Sequence, residues 1–127
     1  MSTDFDDWLT RTHAEAGDFT VLVVLVGIAE DRVDLLRSTH MHVMGTEIEW
    51  AQLAQMLDGS GVAWSGVVLF RAGREGLVPD DEARNRLQSL MRAMTADRGL
   101  IRDGAFFNRD GLSLRLDDAE PQPPRLT

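Results

Sequence analysis

Two of the chain's three histidines, His40 and His42, stand one residue apart in STHMHVMGTEIEW (residues 38–50), with Glu47 and Glu49 just downstream. In an extended segment side chains repeat every second residue, so both imidazoles project from one face and can share a zinc-class ion. A carboxylate from Glu47 or Glu49 is the third ligand this spacing offers, leaving a coordination position for water. On a helix the two rings would diverge by roughly 200° and the ion could not be shared. A structural use competes for the same residues. Thr46 and Glu49 form a T-x-x-E capping box, and Glu47 suits the positive start of a helix over 47–57. An H-x-H pair lacking a further histidine or cysteine is a thin ligand set, and His13 is distant in sequence.

A second constellation lies in the loops after the two most apolar segments. GIAED places Glu30 and Asp31 after the first, and RAGREG places Arg71 and Arg74 after the second. If those segments are parallel neighbours in a sheet, the four charges meet in the crevice at the strand ends, where a polar metabolite or a phosphate would bind. Neither loop matches G-x-G-x-x-G or a P-loop, and acidic caps and Arg-Gly turns are ordinary connectors. A phosphoacceptor reading of Asp31 or Glu30 lacks the lysine such a site uses, and no G-x-S-x-G elbow supports a serine hydrolase.

Composition narrows the chemistry further. All 13 basic residues are arginine, and Lys, Tyr and Cys are absent. Disulfides, thiolate metal sites, cysteine nucleophiles and Schiff-base chemistry are therefore excluded. The arginine-only basic set also points to a GC-rich, bacterial genome. A net charge of −8 opposes nonspecific binding to nucleic acid or to an anionic membrane. The longest apolar run, Val21 to Ile28, is too short to span a bilayer, and MSTDFDDW has acids where a signal peptide carries bases, so a cytoplasmic location is expected. No pattern names a cofactor.

The elements that must position these residues follow from periodicity. Residues 4–16 repeat Phe5, Trp8, Leu9 and Thr12 at helical spacing. Residues 19–28 are continuously apolar and β-branched, as in a central strand covered on both faces. A short helix over 30–38, the helix over 47–57, a strand over 64–70, a helix over 80–97 and a hairpin over 100–116 complete the series. The expected fold is α/β or α+β: a small mixed sheet of about four strands, three parallel and the last antiparallel at an edge, covered by helices. One domain over 1–116 and a disordered, proline-rich tail over 117–127 are expected.

Three tryptophans and six methionines fit an interaction surface, although most lie on stripes expected to face the core. The function expected from sequence is a binding or regulatory module acting through protein–protein contacts, including self-association, rather than an enzyme. The alternative is a small enzyme or metabolite binder at the strand ends, with a metal at His40 and His42.

Overall fold

The computed structural model describes residues 3–29, 32–73 and 76–114. Helix α1 spans Asp4–Ala16, as its periodicity requires. Its cap is reciprocal: Asp6 N–H donates to Thr3 Oγ1 (3.1 Å) and Thr3 N–H to Asp6 Oδ2 (3.0 Å). Gly17, at φ 72°, ends it. Strand β1 (Phe19–Ala29) follows and is buried from Phe19 to Val26, which explains its lack of alternation.

The expected helix over 30–38 is instead part of a strand. Strand β2 (Arg32–Val43) pairs antiparallel with β1, from Ala29 opposite Arg32 to Phe19 opposite Val43. A bulge at Leu36 shifts the register between Leu25 and Val26. Before it Val33 and Leu35 face one side of the sheet, and after it Ser38, His40 and His42 do. The extra residue breaks the period of two that identifies a strand, and VDLLR then mimics a helical stripe.

Helix α2 covers Trp50–Asp58, three residues shorter at its start than the T-x-x-E box implied. Glu49 holds the cap position, and its N–H donates to Gln52 Oε1 at 2.9 Å. The side chain of Ile48, ahead of the helix, packs on the core. Strand β3 (Gly66–Arg71) pairs with the other edge of β1, again antiparallel. Helix α3 spans Asp80–Ala96, with Pro79 at its N-cap position and Asp80, Asp81 and Glu82 in its first turn.

The expected hairpin over 100–116 is shorter than its sequence pattern. Arg98–Asp103 is a 3-10 turn, and strand β4 is confined to Ala105–Asn108, paired with β3. The return is present as a Phe107–Ser113 bridge and a Leu114 N–H to Phe106 C=O bond of 2.8 Å. Residues 115–127, including the expected tail, lie outside the described residues.

The sheet order is β2-β1-β3-β4 with every neighbour antiparallel, so the class is α+β and the expected parallel core is not formed. Only residues 30 and 31 separate β1 from β2, too few for the crossover a parallel pair needs. Helices α1 and α2 cover one face, where Phe5, Leu9, Trp50 and Leu53 meet Phe19, Val21, Val23 and Phe107. Helix α3 and the 3-10 turn cover the other, where Leu87, Met94 and Ile101 meet Leu22, Val24, Val26 and Val68. Among the described residues no helix is long and apolar enough to cross a membrane.

Candidate metal centre

Strand β2 is an edge of the sheet, and His40 and His42 lie opposite Leu22 and Thr20 of β1. Two residues apart on regular strand, they point to the same side, the one covered by α3. Their ring centroids are 5.8 Å apart. The chain reaches them a second time because Val78 is pinned beneath α3: its N–H donates to Thr20 Oγ1 at 2.8 Å, inside the protein. Two residues on, Asp80 emerges as the first residue of α3, directly over the histidine pair.

Asp80 Oδ1 lies 2.6 Å from His42 Nε2 and 3.2 Å from His40 Nε2, and one ligand atom from each of the three residues falls within 4.8 Å of the others. Hydrogen bonds from His42 and then from His40 hold the Asp80 carboxyl below the ordinary carboxylate range. On its other nitrogen, His42 Nδ1 meets Thr20 Oγ1 at 2.8 Å. That hydroxyl already accepts from Val78 N–H, and its own proton can turn to Val78 C=O at 3.4 Å. Were an ion to replace the Nε2 proton that now meets Asp80, Thr20 could accept a hydrogen bond from His42 Nδ1–H and hold the tautomer that presents the Nε2 lone pair, the outer-shell support metal-bound histidines use.

Two of the three ligand spacings can be set against those of a tetrahedral ion. Bonds of about 2.0–2.1 Å put neighbouring ligand atoms roughly 3.3 Å apart. The His40–Asp80 pair is already at 3.2 Å, and the His42–Asp80 pair, at 2.6 Å, must open by roughly 0.7 Å. The Asp80 side chain is 60 % exposed and can make that movement, whereas the His40 ring, 16 % exposed, is largely fixed.

The carboxylate in this cluster is Asp80 and not Glu47. Glu47 is exposed on the loop before α2 and is not among the grouped ligand atoms. His13 is engaged elsewhere, 3.0 Å from Asp18 Oδ1. Of the second constellation, Glu30, Asp31 and Arg74 lie outside the described residues. Arg71 ends β3 opposite Val21 and sits 3.8 Å from Glu15 Oε1. Ala29, the residue before Glu30, is eight positions further along β1, roughly 26 Å of strand. Among the described strands there is no parallel pair to form the expected crevice.

The tryptophans belong to the core on the α1–α2 face of the sheet. Trp50 and Trp64 are buried, and Trp8, partly buried, packs on the same cluster against Phe5, Phe19 and Phe107. A pocket of about 230 Å³ opens between strands β1 and β2 and helix α2, lined by the apolar Val23, Leu25, Met41, Met56 and Leu57 and by the polar Arg37, Ser38, Thr39, His40 and Ser60. No family model, curated protein or solved structure matches this chain, and the His40–His42–Asp80 cluster therefore carries the functional reading.

Proposed function

We propose that this protein is a metal-responsive binding module, in which a zinc-class divalent ion held by His40 Nε2, His42 Nε2 and the Asp80 carboxylate governs contacts made through the β2 edge. The observation that carries this reading is the convergence of the three ligand atoms within 4.8 Å, from two elements far apart in sequence. The imidazoles and carboxylate are a borderline-hard donor set that suits zinc over calcium or magnesium. The ion would join the edge strand to the first turn of α3, so its presence stiffens the surface that a partner meets.

Calorimetric titration with Zn²⁺ tests the site. One ion should bind per chain, and His42→Ala or Asp80→Ala should weaken binding by more than about a hundredfold, beyond the loss of an outer-shell group. His13→Ala should bind as the parent does. Equal affinity in all three variants would exclude the site.

The open coordination position favours a second reading, a metal-assisted hydrolytic enzyme acting on a small substrate through bound water. That reading requires zinc-dependent hydrolysis of an activated ester, lost in His42→Ala while the fold persists. A binding module takes up zinc without turnover.

A further inference from the structure

We infer that a second copy of this chain completes the metal site, by antiparallel pairing of β2 with β2 about Met41. The inference rests on the metal reading above and adds a partner to it.

The backbone sets which groups are free. Thr20 N–H donates to Gly76 C=O (3.2 Å) and Thr20 C=O accepts from Ala72 N–H (2.8 Å), both on the β3 side of β1. Thr20 therefore turns no backbone group toward β2, and its partner His42 must turn its own N–H and C=O outward, to the edge that no described strand covers. By the period of two, His40 and Ser38 do the same. Register is regular from Arg37 to Val43, on one side of the Leu36 bulge, so this stretch is the part of the edge able to accept another strand.

The sequence of that stretch is its own complement. His-Met-His reads identically in both directions, so antiparallel pairing centred on Met41 sets each His40 opposite His42 of the second copy. Those residues carry the outward N–H and C=O groups and would exchange both hydrogen bonds, with Cα atoms about 5.5 Å apart. All four imidazoles then lie on the α3 face together with the two Asp80 carboxylates. Two histidines and one aspartate leave a tetrahedral ion one ligand short, and an imidazole from the second copy is within cross-strand reach. Met44, 64 % exposed in the isolated chain, comes to lie opposite Ser38 of the second copy. With each chain carrying −8, the dications also offset the repulsion that otherwise keeps copies apart.

Sedimentation velocity of the full chain, in chelator and then with stoichiometric ZnCl₂, tests the proposal, with native mass spectrometry counting ions. The expected result is a 14.1 kDa monomer in chelator and twice that mass with zinc. Ser38→Pro removes an outward N–H while sparing every ligand, and should bind zinc as a monomer. His42→Ala should lose both zinc and dimer. A wild-type chain that binds zinc yet stays monomeric would overturn the shared site and leave the single-chain metal site standing. A chain that neither binds zinc nor dimerises would overturn both. A dimer that persists in chelator would overturn the ion's role in joining the copies, and a zinc dimer of Ser38→Pro would overturn the register.

Discussion

Thr20 is the residue on which the candidate centre turns. Its hydroxyl is fully buried, holds the Val78 N–H that positions α3, and touches the ring nitrogen of His42. Thr20→Val keeps the shape but leaves a buried N–H unpaired, which should cost about 1–3 kcal/mol in urea unfolding. It should also weaken zinc binding by about 10- to 100-fold, and Thr20→Ser should recover most of both. Of the centre itself, the histidine pair is legible in the sequence only if the segment is extended, a condition that the sequence leaves open and strand β2 meets. Asp80 is not, being 38 residues from His42 and explained, like Asp81 and Glu82 beside it, by the helix dipole alone. Glu47 is the nearer acid in sequence, but Gly45, at φ 78°, turns the chain before it is reached.

Individual elements differ in how plainly their residues announce them. Helices α1 and α3 match their expected spans closely, since caps, first-turn acids and apolar stripe agree in each. Strand β2 is hidden by a single bulged leucine, and without it residues 30–57 read as a helical crossover between parallel strands. The second expected crossover, through the helix over 80–97, fails as well, because β4 pairs antiparallel with β3. The join between α2 and the turn after β4 was equally invisible, because its members come together only in the fold. Asp58 Oδ1 accepts from Trp64 Nε1 (3.0 Å) and Arg109 Nη2 (2.8 Å), and the Arg109 guanidinium lies 4.3 Å from the Trp64 ring centroid. The Arg109 hydrogen bond is the main cause holding the Asp58 carboxyl below its ordinary 3.8. A carboxyl depressed in the folded state contributes stability that is complete above the unfolded value and lost as pH falls through the folded one. Urea midpoints measured downward from pH 5 should therefore decline in the wild type below pH ~4. Asp58→Asn should decline less over the same window, and parallel curves would show that the network contributes nothing to acid stability.

For the whole molecule, the pattern of charge and apolar residues identifies an α+β protein with a doubly covered central strand, while pairing direction depends on connections that the sequence states only weakly. An ion bound between β2 and α3 links an edge strand to the helix that covers it, and binding confined to the folded chain stabilises it by mass action, about 2.7 kcal/mol at a hundredfold excess over Kd. Zinc should thus raise the thermal midpoint of the wild type, and scanning calorimetry of His42→Ala should show no such rise. The most direct observation is anomalous diffraction at the zinc edge from crystals grown with ZnCl₂. A peak about 2.0–2.2 Å from His40 Nε2, His42 Nε2 and an Asp80 oxygen is expected. Full occupancy at another position, such as His13 with Asp18, and none over the His40–His42 pair, would show that Asp80 only hydrogen-bonds two histidines and that the metal reading is wrong.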